Sequence, residues 1–183
     1  MKEIVFLLEE PSAKAMLEGL LPKLLPETVR CRYIVFEGKQ DLEKQLIKRL
    51  QGYRTPHAAL VVLRDKDAED CLQIKKRLTK KCQEGGRPES LVRIACNELE
   101  SWYLGDLLAV EVSLGVKGLA KHQNYPPYDH PDKIVSPAKR LRSIVPAYQK
   151  IGGSRKIGPK LRPDTNLSHS FGVFVSGVRR LVD

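Results

Sequence analysis

Residues 58–67 read AALVVLRDKD. Six apolar residues run without a break and then give way to Arg64, Asp65, Lys66 and Asp67. A short apolar run with no polar alternation suits a β-strand covered on both faces, as strands of a parallel sheet are. The same pattern recurs on either side. Upstream, Glu3 to Leu8 (EIVFLL) forms a first strand that ends on Glu9-Glu10-Pro11-Ser12. Pro11 and Ser12 open a helix from Ala13 to Leu25, in which Ala15, Met16, Leu20 and Leu24 fall near helical spacing. Pro22 should kink or end that helix. Cys31 to Phe36 (CRYIVF) is a second strand, Asp41 to Leu50 a second helix, and Gly52 and Pro56 break the chain before residue 58. Downstream come a helix from Ala68 to Cys82, stopped by Gly85-Gly86, and a strand from Leu91 to Cys96. A helix through Glu98, Glu100 and Trp102 follows.

Strand and helix thus alternate four times. This predicts an α/β domain, a Rossmann-like parallel sheet of about four strands flanked by helices on both faces. After Leu114 the pattern weakens. Residues 122–137 carry Pro126, Pro127, Pro131 and Pro137 and should form an irregular loop. Two more helices, Pro137 to Ile144 and Phe171 to Leu181, flank a glycine-rich turn at Gly152-Gly153-Ser154. The chain therefore divides into an α/β core over 1–115 and a proline-rich loop with a basic helical extension over 116–183. The extension should pack on the core as part of one domain.

Composition narrows the function classes. Hydrophobic residues at 42% and charged residues at 30% are a globular balance, which argues against a disordered chain. No apolar run approaches the length needed to cross a bilayer, and the N-terminal run reads as a strand rather than a secretory signal. Cys31, Cys71, Cys82 and Cys96 lie far apart with no C-x-x-C pair, so neither a zinc site nor a disulfide framework is indicated. Free thiols suit a reducing cytoplasm, the expected location. The net charge of +10 is unevenly spread. Residues 133–183 hold 11 Lys/Arg against Asp164 and Asp183, a net of +9. Such a block is a plausible electrostatic footprint for a polyanion, and equally a solvated basic surface.

In a parallel α/β sheet, ligands bind outside the carboxyl ends of the strands. Those ends carry Glu9 and Glu10 after strand one, Asp65 and Asp67 after strand three, and Glu98 and Glu100 after strand four. Asp70 and Asp106 follow close behind. Clustered carboxylates repel one another unless a cation offsets them, and hard cations prefer oxygen ligands. The inference is a Mg²⁺ or Mn²⁺ site. At a strand end alternate side chains point the same way, so Asp65 and Asp67 are expected to face one ion. Asp67 also precedes a helical stretch, where Asp is a common cap.

The glutamate closing strand one in LLEEPSAK and the strand-terminal D-x-D in VVLRDKDAED, set in alternating strands and helices, resemble a Toprim domain. The nearer resemblance is to a bacterial, single-domain, Toprim-like family of unknown function, related to the Toprim domain of the overcoming-lysogeny-defect nucleases. It extends through NELESWYLGD and YQKIGGSRKIGP to SFGVFVSGVRRL, nearly the whole chain. The resemblance implies Glu9, Asp65 and Asp67 as catalytic residues, with Glu9 as general acid or base and the aspartates on Mg²⁺. It adds Glu9, Glu98 and Glu100 to Asp65 and Asp67 as metal-binding carboxylates. Glu10 stands where many relatives have glycine, whose small size would let the backbone approach a phosphate.

Around Gly152-Gly153-Ser154 lie Lys150, Arg155, Lys156 and Lys160, the basic residues expected to bind phosphate or nucleic acid. The segment is not a Walker A loop, because Pro159 follows the last glycine. It reads either as a phosphate-binding nest or as a flexible turn. Trp102 is expected in the core and Arg140 and Arg142 on a solvated face. Tyr125 and Tyr128 are base-stacking candidates. Together these readings point to a Mg²⁺-dependent nuclease or phosphodiesterase acting on DNA or RNA. The resemblance sets it in a defence or mobile-element system with an ATPase partner. A non-catalytic nucleic-acid-binding or regulatory module is the alternative, and a small phosphate-ester hydrolase a third.

Overall fold

The computed structural model describes residues 2–55 and 57–182; the break expected at Pro56 lies outside them. The described residues form four parallel strands: β1 (Lys2–Leu8), β2 (Val29–Val35), β3 (Ala59–Asp65) and β4 (Leu91–Ala95). They stand in the order β2-β1-β3-β4. Helices α1 (Pro11–Leu20), α2 (Lys39–Gly52) and α3 (Cys71–Glu84) make the crossovers. Helices α4 (Glu100–Leu104), α5 (Leu107–Leu114), α6 (Pro137–Ile144), α7 (Lys150–Ile157) and α8 (His169–Arg179) complete the chain. No helix among the described residues is long and apolar enough to cross a membrane.

The strands are apolar throughout because both faces are buried. Val5, Leu7, Leu60, Val62, Val92 and Ile94 pack against Leu42, Leu46 and Leu50 of α2 and Ile74, Leu78 and Cys82 of α3. The alternate residues, among them Ile4, Phe6, Leu8, Val61 and Leu63, face α1 and the C-terminal helices. Trp102, Leu141, Ile157, Phe171 and Phe174 belong to this second core. The C-terminal third is therefore part of the same packed body. Trp102 is buried as expected, its indole N–H donating to Ser170 Oγ at 2.9 Å and its ring against Phe171 and Phe174.

Helix α1 ends at Leu20, and Pro22 sits in a 3₁₀ turn over Leu21–Lys23, as its ring requires. One expectation is overturned. Gly152, Gly153 and Ser154 form no turn but lie inside α7. Local glycine content signals a turn, yet here the missing side chains serve close packing. A Cβ on Gly153 would collide with the ring of Tyr148, and one on Gly158 with the carbonyl of Met16 in α1. A Cβ on Gly19 would strike Pro159. At Gly19 and Gly158, α1 and the α7 segment approach so closely that only glycine fits. The Gly153 N–H donates to the Gln149 carbonyl at 2.6 Å within that helix and so is not a free nest amide.

Gly158→Ala is expected to lower stability by about 1–3 kcal/mol, the range for overpacking a close backbone contact. Gly172→Ala, in α8 with open space around it, should instead raise stability by about 0.4–1 kcal/mol. Urea unfolding of both variants checks the contrast, and equal effects would contradict the packing argument.

Candidate functional site

The strand order turns at β1 and β3: the chain leaves β1 toward β2 on one side and β3 toward β4 on the other. At such a switch point the connections diverge and open a crevice beyond the carboxyl ends. Glu9 and Asp65 lie there. The Asp65 N–H donates to Glu9 Oε2 at 3.0 Å, tying the two strand ends together. Asp65 continues the row of Val61 and Leu63, so its side chain enters the core between the sheet and α1. It is buried, with 8% of its surface exposed.

Glu100, the first residue of α4, is fully buried nearby. The Tyr148 hydroxyl donates to its Oε1 at 2.9 Å, while Oε2 is buried without a partner. Glu10 accepts from the Ser12 hydroxyl at 2.6 Å and pairs with the Lys150 ammonium at 2.7 Å. It is thus engaged in an ion pair, not simply solvated. Burial drives the Asp65 carboxyl well above the usual range, and the negative fields of Glu10, Glu9 and Glu100 push it further. Burial likewise raises Glu100, although Lys150 and the Tyr148 hydrogen bond pull against it. Glu9 is raised by burial too; the Asp65 N–H opposes this and the charge of Asp67 adds to it. Burial works against the charge on Lys150, but the fields of Glu10, Glu100 and Asp65 prevail and raise its pKa.

Asp67 stands apart from this cluster. Its backbone is left-handed, with φ +53°, and its N–H donates to the Asn97 carbonyl at 2.7 Å. The reversal breaks the alternation that would have aimed Asp67 beside Asp65. Its carboxylate instead pairs with Lys39 at the start of α2, at 2.8 Å. Glu98 is also committed elsewhere: it accepts the Ala138 N–H at 2.8 Å and so caps α6. Asn97, at φ +59°, donates to the carbonyls of Asp132 and Ile134 and holds the proline-rich loop beside the same edge. Asp70 caps α3 through the Gln73 N–H, and Asp106 caps α5 while receiving the Arg162 guanidinium.

Among the described residues, no group of three or more His, Cys, Asp or Glu side chains stands ready to hold a metal ion as the side chains lie. The donor chemistry nevertheless suits a hard cation. The Oε2 of Glu100 is a buried oxygen with no donor, Asp65 is a buried carboxylate, and Glu10 and Glu9 adjoin Asp65. Asp67 and Glu98 turn their carboxylates to Lys39 and to the Ala138 N–H.

The four basic residues expected to bind phosphate are separated. Lys150 lies at the acidic edge. From there α7 runs beside α1: Gly158 meets Met16, and Lys23 donates to the Pro159 carbonyl at 2.7 Å. Eight helical residues span about 12 Å, so Lys160 sits at the far end, with Arg155 and Lys156 exposed between. Tyr128 is buried beneath Arg140, whose guanidinium lies 5.1 Å from its ring centre, so it is no stacking platform. Tyr125 is exposed. Sequence reasoning passed over Tyr148, Tyr103 and Lys39. Tyr148 opens the quoted segment YQKIGGSRKIGP, but nothing local marks it as the partner of Glu100, 48 positions away.

The folded protein holds protons on Asp65, Glu9 and Glu100 more tightly than the unfolded chain does. Their contribution to stability is complete below about pH 4 and is lost as the pH rises through the raised folded-state values. Asp65→Asn removes the largest part of this loss. In chelator, its unfolding free energy relative to wild type should grow as the pH is raised from 4 to 8. A difference that shrinks over that range would show Asp65 to be compensated in the fold.

Comparison with curated proteins and with solved structures gave no match. A family model described as Domain of unknown function (DUF4276) matches residues 8–179, nearly the whole of the α/β body and its C-terminal helices. The chain belongs to that family of unknown function.

Proposed function

We propose that the protein is a Mg²⁺- or Mn²⁺-dependent phosphodiesterase of the Toprim type that cleaves nucleic acid. The observation that carries this reading is the buried, donor-free Oε2 of Glu100 beside the buried carboxylate of Asp65 at the switch point of the sheet. Uncompensated buried acids are costly, and structures retain such groups at sites of function.

Asp65, Glu100 and Glu10 are the residues that would hold the cation. Bound there, a divalent ion supplies polarisation of a phosphoryl oxygen and offsets the charge that develops on it. Glu9 is suited to hold or move a proton. Its carboxyl is raised by burial, oriented by the Asp65 N–H, and 4.0 Å from the Arg64 guanidinium. Arg64 is itself fixed, buried on the opposite face among Glu43, Glu69 and Arg77. Lys39, Lys66 and Lys150 rim the acidic crevice, and exposed Arg155, Lys156 and Lys160 continue along α7. Such a trail of positive charge favours a polyanion lying across the edge over a small phosphate ester.

One observation favours a second reading, a regulatory or binding module that works with a partner such as an ATPase. Asp67 and Glu10 already have lysine counter-ions, so the site is partly neutralised from within.

Labelled DNA and RNA incubated with Mg²⁺ or Mn²⁺ decide between them. Cleavage is expected, with Glu9→Gln slower by about 100-fold or more and Asp65→Asn inactive. Salt-dependent binding without turnover in wild type would support the module. Wild type and a Glu9→Ala, Asp65→Ala double variant behaving alike would end the enzymatic reading.

A further inference from the structure

Lys150 occupies an unusual position. It opens α7, and its ammonium lies 2.7 Å from both carboxylate oxygens of Glu10, beside buried Asp65 and Glu100. Its backbone is firmly placed. The Ser154 hydroxyl donates to the Lys150 carbonyl at 2.6 Å, and the buried Tyr103 hydroxyl donates to Ser154 Oγ at 2.7 Å. Gly153 lies flat against Tyr148, whose own hydroxyl holds Glu100. The side chain beyond that anchor is a flexible four-carbon stem. About a third of it, 34%, faces solvent, so a route out of the cluster is open.

Charge makes this placement informative. Glu10, Asp65 and Glu100 surround one ammonium, and one buried oxygen of Glu100 still lacks a partner. A single positive charge under-compensates three acids. A divalent cation would compensate them better, but an ammonium and a metal ion at one cluster repel each other.

We propose that Lys150 is a built-in counter-ion which fills the carboxylate cluster when metal is absent and must swing out before a divalent cation can bind. The inference rests on the metal reading of the same site. It accounts for a donor set that suits a hard cation while the side chains, as they lie, form no ready cage. It also makes metal entry the event that frees an ammonium at the mouth of the crevice.

Mn²⁺ binding to the full chain, followed by the loss of the free-ion EPR signal, tests it without reference to activity. Lys150→Met keeps the stem and removes the charge; it should bind Mn²⁺ about tenfold tighter than wild type. Lys150→Arg should bind no tighter than wild type. Binding unchanged or weakened in Lys150→Met, but lost in Asp65→Asn, would overturn the inference and leave the metal site standing. No binding to wild type or to Lys150→Met would remove the metal reading and this inference with it. A second measurement needs no variant fold. In wild type, the ¹³Cε resonance assigned to Lys150 should shift on Mg²⁺ titration in step with binding. A resonance that stays put while Mg²⁺ binds would equally overturn the inference.

Discussion

Asp65 terminates an apolar strand with a carboxylate that enters the core, and much of the surrounding structure can be understood as accommodating it. The sheet holds it there through parallel pairing on both sides, β1 on one and β4 on the other. Its N–H fixes Glu9. The segments that close over that face bring Glu100, Tyr148 and Lys150 to the same place from two distant parts of the chain. Removing a carboxylate from water is expensive unless it is neutralised, hydrogen-bonded or paired. Here none of these is complete: the acid is shielded, surrounded by like charge, and answered by one ammonium bonded to a neighbour.

The close passage of α1 and α7 serves the same end. Glycines at 19 and 158 let the α7 segment run along α1, which sets Lys150 beside Glu10 at one end and Lys160 away from the crevice at the other. What reads locally as a loop for gripping phosphate is a helix whose small residues govern where a lysine begins. Function at this edge would then depend on packing some 12 Å away.

Much of the architecture was legible in the sequence. The apolar runs at Glu3 to Leu8 and Ala58 to Leu63 are too short and too uniform for anything but buried parallel strands, and Pro11 and Pro22 mark the limits of the first helix. Glu9 and Asp65 could be placed at one edge because strand ends are local features. The side chains' partners could not. The left-handed turn at Asp67 is set by its bond to Asn97, thirty residues on, and sends its carboxylate to Lys39. Glu98 caps a helix forty residues later, and Lys150 meets Glu10 across 140 positions. Such pairings depend on tertiary packing, which overrides local propensity and leaves no periodic trace.

The central claim is that Asp65 and Glu100 form the heart of a divalent-cation site. A crystal structure of the protein soaked in Mn²⁺, read from the metal's anomalous scattering, tests it most directly. The account predicts an ion within ligand distance of Asp65 and Glu100 Oε2, with the Lys150 ammonium displaced from Glu10. A crystal in which Mn²⁺ is absent from this crevice, or bound elsewhere while the Lys150–Glu10 pair stays intact, would contradict it.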